Sequence, residues 1–336
     1  MSTQFIKKQA RIYWLDLMKV VGIYFIILGH LFSFGSGYAL SFSVALFFIV
    51  SGFISHEQSS NSAFWRKMLS NYIFPMLALA SINFVISTAQ QLASGLFTLD
   101  RLWKFPINVV LGFHMGLGTL WFVYTLIILK IILQYTKHFT SLRLMLFFAL
   151  PLTSVLLHDS YIPFCGYNLT ELPNGLFNTC LAYPFFILGY ALGKNKQLFP
   201  HTHPHYTIKL LILCFISASL SLICYYANGS TSLYLNNYGK NIFLCMICGI
   251  TGTAMVYAAS AAMPQIMRQT VTRLSTGMII ILAFHYHFTT LAHKYIIHSP
   301  SLIDLVIALV ILALFVPIVN AVSKWLPWLM GKRQII

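Results

Sequence analysis

Long apolar runs alternate with short polar connectors along the whole chain. Ten of these runs have the length and hydrophobicity of a helix that crosses a bilayer. They cover residues 13–34, 38–55, 72–91, 118–135, 142–158, 175–193, 207–227, 241–262, 274–296 and 302–322. The pattern predicts an all-α fold, a polytopic helical membrane protein with about ten transmembrane helices, and one integral-membrane domain over residues 1–336.

One further segment, residues 101–117, is amphipathic rather than uniformly apolar. Arg101, Lys104 and His114 stand among apolar residues there. Such a mixture is typical of a helix that lies in the membrane interface, or of a re-entrant loop. We expect this segment on the outer side, between the third and fourth spans.

The composition excludes a soluble globular domain. Hydrophobic residues make up 58% of the chain and charged residues 8%, whereas soluble domains carry about 25% charged residues. The net charge of +15 would suggest nucleic-acid binding in a soluble chain. In a membrane protein, basic cytoplasmic loops explain it more simply, so we expect a lipid bilayer and no nucleic acid as partner.

The distribution of basic residues predicts the orientation. With the amino terminus in the cytoplasm, seventeen of the twenty-one Lys and Arg residues fall on the cytoplasmic side. The four external ones are Arg101, Lys104, Lys240 and Lys294. Both termini and the 194–206 connector are therefore expected in the cytoplasm, and the 158–174 connector is expected outside.

The first apolar run carries three ionisable residues, Asp16, Lys19 and His30. An ionisable group at membrane depth costs about 2.5–3.5 kcal/mol, so these side chains are expected to face protein, water or a ligand. The eleven residues from Lys19 to His30 span three helical turns, which places both on one face about 16 Å apart. Asp16 lies on that face too. The alternative is that Asp16 and Lys19 extend to the interface and that His30 is an interfacial histidine.

Several other residues have both a structural and a functional explanation. Ser51 fits close helix packing, and Arg66 and Lys67 fit the positive-inside rule. Trp121 fits the aromatic belt at the outer interface. Each of these residues is also a candidate for ligand contact.

The ninth run contains two histidines, His285 and His287, on either side of a tyrosine. Residues two apart on a helix point to different sides, so these histidines are not expected to share a metal ion. We predict no metal site, and we expect one of the two histidines to face the bundle.

These motifs follow one another in a defined order. They are Lys19 and His30, Phe-Phe-Ile-x-Ser-Gly-Phe at 47–53, the basic segment before Pro75, Leu-Trp-Phe at 120–122, Phe-x-Leu-Gly-Tyr at 186–190 and Leu-Ala-Phe-His at 282–285. In this order they resemble the acyltransferase-3 family of integral-membrane acyltransferases over nearly the whole chain. The chain is most similar to compact members without a fused esterase-like domain, which modify sugars of surface polysaccharides or small acceptors.

Three positions depart from the family pattern. Lys19 stands where the family usually has arginine, and Asn71 stands where a second arginine is usual. The long Trp-Ser-Leu-Glu form of the fourth-helix motif is absent. These departures concern the subfamily and its acceptor, not the membrane acyltransferase class.

The resemblance implies an O-acyltransferase in the inner membrane of a bacterium. It would move an acetyl group from cytoplasmic acetyl-CoA to a sugar hydroxyl, on a surface polysaccharide or on its lipid-linked precursor. Acetyl-CoA is then a substrate, and no bound cofactor is expected. His30 would be the general base, because imidazole exchanges protons near neutral pH. Lys19, Arg66 and Lys67 would hold the phosphates of the acyl-CoA.

The remaining candidates would support this chemistry. Asp16 would position Lys19 and offset its charge. The reaction also needs a donor to the oxyanion, for which Ser51 and His285 are candidates, and Trp121 is a further supporting residue.

Two other classes of function compete with this hypothesis. In a secondary transporter or flippase, Asp16, Lys19, His285 and His287 would form a proton or substrate path. Such proteins often consist of two related halves, but the sequence shows no internal repeat. A structural membrane subunit would have no use for the ionisable residues of the first run. Dependence on an acyl donor distinguishes acyl transfer from both.

Overall fold

The computed structural model describes residues 11–32, 35–158, 160–164, 167–170, 174–195, 199, 206–297 and 299–331. Within these ranges the protein is helical, apart from a small antiparallel hairpin of β1 (Pro163–Phe164) and β2 (Tyr167–Asn168). The all-α class predicted from the apolar pattern is confirmed for this part of the chain.

Fourteen α-helices follow one another in the described ranges. They are α1 (Tyr13–His30), α2 (Ser36–Phe53), α3 (Asn61–Met68), α4 (Phe74–Ala93), α5 (Asp100–Leu111), α6 (His114–Leu117), α7 (Trp121–Tyr135), α8 (Thr140–Leu156), α9 (Asn178–Lys194), α10 (Tyr206–Asn228), α11 (Ile242–Ala262), α12 (Arg268–Thr276), α13 (Met278–Tyr295) and α14 (Ile303–Trp325). Each of the ten predicted runs coincides with one of these helices.

Seven helical segments in the described ranges are long and apolar enough to cross a membrane. The pair α12 and α13 makes an eighth if it is taken as one bent span. Helices α8 and α9 have only 17 residues each and fall short of this length. A polytopic helical membrane protein is therefore confirmed, whereas ten spans and cytoplasmic termini stay predictions. Residues 1–10 and 332–336 of the termini lie outside the described ranges.

Helices α1 and α2 form the centre of the bundle. In the apolar stretches of α1 and α2 that are long enough to cross a membrane, 67% and 72% of the residues are buried. In the corresponding stretch of α10 only 17% are buried. Helix α9 packs closely on α2 because glycines stand where the backbones meet. A Cβ at Gly52 would lie 2.0 Å from the carbonyl oxygen of Phe186, and one at Gly189 would lie 2.0 Å from that of Ile49. The close packing expected beside Ser51 is thus present.

The third predicted run begins earlier than expected. Helix α3 starts at Asn61, where the Ser60 hydroxyl accepts a hydrogen bond from the amide of Ala63. A π-helical turn over Leu69–Ile73 joins α3 to α4, just before Pro75, whose missing N–H leaves one carbonyl without its usual helical partner. The amphipathic segment predicted at 101–117 forms α5 and α6.

Two helix ends differ from the predicted boundaries and determine where the histidines lie. Helix α1 ends at His30 rather than at residue 34, because Phe32 and Gly35 adopt positive φ angles of 47° and 82°. The chain bends by 83° between α12 and α13, at Gly277, so the straight part of the ninth run starts at Met278. His30 is therefore the last residue of its helix.

Candidate active site

A cavity of about 980 Å³ lies at the end of the bundle where α1 finishes. We call it the wide cavity. Its walls come from α1, α2, α4, α5, α6, α7 and α13, and from the connector that follows α10. The histidines and large polar aromatic residues of its wall are His30, His114, Trp121, Tyr234, His285, Tyr286 and His287. Three predicted candidates, His30, Trp121 and His285, therefore line one cavity.

His30 and His285 lie side by side in this cavity. Their ring centroids are 5.1 Å apart, and the rings are inclined by 47°. Tyr286 stands edge-on to His30 with a centroid distance of 5.6 Å. His30 is half-buried, whereas His285 is fully buried. Two residues that are 255 positions apart in sequence thus form an imidazole pair.

Backbone contacts determine which nitrogen of His285 carries the proton. Its Nδ1 lies 3.0 Å from the carbonyl oxygen of Ile281 and 2.9 Å from that of Leu282. Because both partners can only accept, Nδ1 must carry the hydrogen and donate it. In the neutral ring, Nε2 is then an acceptor. Within the described residues this buried Nε2 has no hydrogen-bond partner.

Side chains from neighbouring elements hold this part of α13 in place. The Thr119 hydroxyl donates to the carbonyl oxygen of Leu282 at 2.6 Å. The Asn83 amide donates to the carbonyl oxygen of Ala283 at 3.1 Å, and its Oδ1 accepts from Nε2 of His287 at 3.0 Å. His285 and His287 of α13 thus point to different surroundings, as predicted, and of these two only His285 lies against the ring of His30.

Aromatic rings form a further part of the cavity wall. Trp121 is buried, and its ring centroid lies 5.6 Å from that of Tyr234. His114 contacts the same tyrosine at 5.1 Å. The ring centroids of Phe48 on α2 and Phe122 on α7 are 4.5 Å apart, so these rings pack between the two helices. The cavity wall around Trp121 is therefore aromatic.

The start of α1 has a different arrangement from the one expected. Asp16 pairs with Arg11, with Nε and Oδ2 2.5 Å apart, and accepts a hydrogen bond from the Ser275 hydroxyl at 2.6 Å. Lys19 forms no hydrogen bond or close ion pair within the described residues, and it lines neither of the two cavities described here. The carboxylate is thus engaged by Arg11 rather than by Lys19.

A second, smaller cavity of about 240 Å³ is lined by α3, by α7 and by the connector that follows α2. We call it the small cavity. Its wall includes Lys67 and Lys130, and Nζ of Lys130 donates to the Ser55 hydroxyl at 2.6 Å and lies 5.2 Å from the ring centroid of Tyr72. Lys130 forms no ion pair within the described part of the chain. The small cavity thus contains two ammonium groups.

Two further candidates lie away from both cavities. Arg66 is exposed on α3, on the side opposite to buried Phe64 and Met68. Ser51 is half-buried on α2, and its carbonyl oxygen accepts from the Ser55 hydroxyl at 2.6 Å. Of the predicted donor-binding residues, only Lys67 lines a cavity.

Glu57 lines the small cavity and anchors the connector that follows α2. It accepts hydrogen bonds from the Tyr190 hydroxyl and, at 3.0 Å, from Nη2 of Arg143, and Nζ of Lys194 lies 3.9 Å from it. Burial raises the pKa of Glu57, but the hydrogen bonds from Tyr190 and Arg143 outweigh burial and lower the pKa below its ordinary value. This ion-pair group connects α8 and α9 to the end of α2.

Sequence reasoning did not select Lys130 or Tyr286 as site residues. Lys130 lies within an apolar run, which is itself a signal of function, but its position near the end of that run also fits a cytoplasmic loop charge. Tyr286 was visible only as the residue between two histidines. Its contact with His30 depends on how α13 packs against α1.

Comparison with known proteins identifies the family. The family model described as an acyltransferase domain, of the acyltransferase-3 type, matches residues 12–322 of the 336. No curated protein and no solved structure matches the chain. The match covers α1 to α13 and most of α14, and it includes every residue that lines the two cavities. The chain belongs to the acyltransferase-3 family and is a membrane acyltransferase.

Proposed function

We propose that this acyltransferase moves an acetyl group from cytoplasmic acetyl-CoA to a hydroxyl of a sugar, in a surface polysaccharide or in its lipid-linked precursor. It would work in the inner membrane of a bacterium as a single domain, with both termini in the cytoplasm. Acetyl-CoA is a substrate in this proposal, and no bound cofactor takes part. The family match gives no support to the transporter or flippase hypothesis.

The imidazole pair is the observation that carries this proposal. His30 is half-buried and lines the wide cavity, so His30 is the proposed general base. The sugar hydroxyl gives its proton to His30 while its oxygen attacks the thioester carbon. The C–S bond then breaks, and the proton passes from His30 to the leaving thiolate. No other reactant is needed.

His285 is the proposed positioning residue for His30. Its unpaired Nε2 lies beside His30 and accepts a hydrogen bond, so an N–H of His30 would fill that role. The other nitrogen of His30 would then carry the lone pair towards the substrate. The neutral form of His285 has no N–H to give to an oxyanion, because Nδ1–H is used by the backbone.

Trp121 is the proposed oxyanion donor. Its indole N–H can only donate, it lines the wide cavity, and within the described residues it has no hydrogen-bond acceptor. Ser51, the other candidate, lies on α2 outside the cavity wall.

The small cavity is the proposed site for the phosphates of acetyl-CoA. Its ammonium groups, Lys67 and Lys130, are the kind of partner that phosphate requires. Phe122 lines the wide cavity and Lys130 lines the small one, eight residues apart on α7, or about 12 Å. The extended pantetheine arm would cross this distance. Lys19 and Arg66 would add positive charge near the same membrane face.

The test compares cells with and without the gene. Surface glycan is isolated from both strains, and its mass and base-labile ester content are measured. We expect the ester to disappear on deletion and to return with the wild-type gene but not with a His30→Ala gene of equal abundance. An unchanged ester content in the deletion strain would remove the surface glycan as acceptor. Purified protein with labelled acetyl-CoA then tests donor use directly.

A further inference from the structure

Arg101 is a cation on the outer wall of the wide cavity that has no carboxylate partner. It extends from α5, its Nη2 donates to the Ser87 hydroxyl at 3.2 Å, and its central carbon lies 5.7 Å from the ring centroid of Phe84. Within the described residues Arg101 forms no ion pair. The adjacent Asp100 pairs with Lys104 instead, at 3.0 Å. The cavity wall thus carries one uncompensated positive charge.

The same wall has three buried polar atoms without a hydrogen-bond partner in the described part of the chain. They are Nη1 of Arg101, Oε1 of Gln91 and Oδ1 of Asn108. All three side chains line the wide cavity. Buried polar atoms are nearly always paired, so these three side chains bring unused hydrogen-bonding capacity to the cavity wall. A cationic N–H and two amide groups suit a ligand with an anionic group and hydroxyls.

This polar wall is within reach of the imidazole pair. Ser87, the partner of Arg101, lies one helical turn, or about 6 Å, beyond Asn83 on α4. Asn83 accepts a hydrogen bond from His287, two residues after His285. A ligand that is bound at Arg101 would therefore reach His285 with one or two sugar rings.

We propose that the acyl acceptor carries a phosphate next to the sugar that is acylated, and that Arg101 binds this phosphate. The proposal rests on the proposed function for the sugar itself. Guanidinium N–H groups match phosphate oxygens in charge and geometry. The positive-inside rule accounts for basic residues on the cytoplasmic side and leaves the external Arg101 unexplained. Phosphate binding explains both its position and its unpaired nitrogen.

The first test measures phosphate binding directly. The protein is purified in dodecyl maltoside, which contains no phosphorus, and saturated with coenzyme A so that the donor cations are occupied. Inorganic phosphate is the probe, and its 31P NMR line broadening is titrated. We expect Arg101→Gln to weaken binding about tenfold, which is the loss of one charge-assisted hydrogen bond. Arg101→Lys should retain part of the affinity, because the charge remains.

The matched control is Arg268→Gln, which removes an exposed arginine at the start of α12. It should bind phosphate like the wild type. Equal binding by the wild type and Arg101→Gln overturns the proposal. Size-exclusion profiles monitor folding, and the Arg101→Lys variant keeps the test valid if the glutamine variant misfolds.

A second set of probes identifies the source of the phosphate. Glucose 1-phosphate and decyl glucosyl phosphate are compared with neutral methyl glucoside. Both phosphates should depend on Arg101, and methyl glucoside should not. Tighter binding of the decyl compound assigns the phosphate to a lipid carrier, and equal binding assigns it to the sugar. If neither phosphate depends on Arg101, the inference is wrong.

The His30→Ala variant separates this inference from the proposed function. It should bind phosphate normally while losing acyl transfer, because His30 does not contact Arg101 in the proposed site. If instead His30→Ala transfers normally and Arg101→Gln still loses phosphate binding, the proposed base is wrong and the phosphate site stands. The two outcomes are measured in different assays.

Discussion

The wide and the small cavity share one helix, α7, but their side chains differ in kind. Around the end of α1, the wide cavity presents imidazole and aromatic groups, which transfer protons and exclude water. The small cavity has about a quarter of that volume and presents two ammonium groups beside a hydroxyl. The charged residues of the wide cavity, Asp100, Arg101 and Lys104, belong to α5 and not to the helices that carry its histidines. The comparison thus separates the imidazole groups proposed for acyl transfer from the ammonium groups proposed to hold the donor phosphates.

The largest expected effect follows from removing His30. His30→Ala should lower acyl transfer by about 10²–10⁴-fold, the usual effect of losing a general base, while the affinity for acetyl-CoA changes little. Single-turnover rates and donor binding are measured on the purified variant.

The control for this variant is His138→Ala, which changes an exposed histidine between α7 and α8. It should leave both rate and binding unchanged. Near-normal acyl transfer by His30→Ala would show that His30 is not the base, and the wide cavity would lose its proposed catalytic role.

The next effect concerns His285. His285→Gln should lower kcat by about 10–10²-fold and leave both KM values unchanged, because His30 loses the acceptor that orients it. The pH–rate profile is the second measurement. A positioning role predicts that the profile keeps its shape at a lower rate. If the limb assigned to the base disappears from the profile in His285→Gln but persists in His30→Ala, then His285 is itself the base.

The sequence predicted the helices well because hydrophobic length and loop charge are local properties. Helix α1 illustrates how far this extends. Its periodicity placed Asp16, Lys19 and His30 on one face, but periodicity does not identify which neighbour meets that face. Asp16 binds Ser275, which is 259 residues away, and Arg11, whose spacing of five is not a standard helical pair.

Only part of the candidate site could be predicted, because its contacts join residues that are distant in sequence. His30, Trp121 and His285 were selected from motifs, and the structure brings them to one cavity. The tautomer of His285 could not be predicted, because it depends on the carbonyl oxygens of Ile281 and Leu282 near the bend at Gly277. Lys130 was counted only among the basic residues of the cytoplasmic side, because a lysine near the end of an apolar run fits the positive-inside rule.

A smaller effect, on the KM for acetyl-CoA, should distinguish Lys130 from Lys19. Lys130→Met keeps the apolar length but removes the charge, so it should raise the KM for acetyl-CoA about tenfold and leave the acceptor KM unchanged. Lys19→Met should also raise the donor KM if Lys19 contacts a phosphate, and Lys19→Arg should retain substantial activity. Initial rates against acetyl-CoA concentration provide the measurement.

The lysine comparison has a matched control and a decisive outcome. Lys240→Met removes an exposed lysine that lines neither cavity, and it should change neither KM. A normal donor KM in Lys130→Met together with a raised one in Lys19→Met moves the donor site from the small cavity to the start of α1. If instead the donor KM is raised in Lys130→Met and normal in Lys19→Met, the Lys19 side chain only extends to the membrane interface.

The smallest effect concerns stability rather than rate, and it tests whether the small cavity depends on the Glu57 ion-pair group. Glu57→Gln should destabilise the protein by about 1–2 kcal/mol at neutral pH, because buried Arg143 loses its carboxylate partner. The folded pKa of Glu57 is lowered, so its stabilising effect is complete above the unfolded value, about 4.3, and is lost as the pH falls through the folded pKa. The melting temperatures of wild type and variant should therefore differ at pH 7 and converge in acid. Asp100→Asn, at the exposed pair with Lys104, should leave the melting temperature unchanged at both pH values. A difference between wild type and Glu57→Gln that grows in acid would contradict the lowered pKa of Glu57.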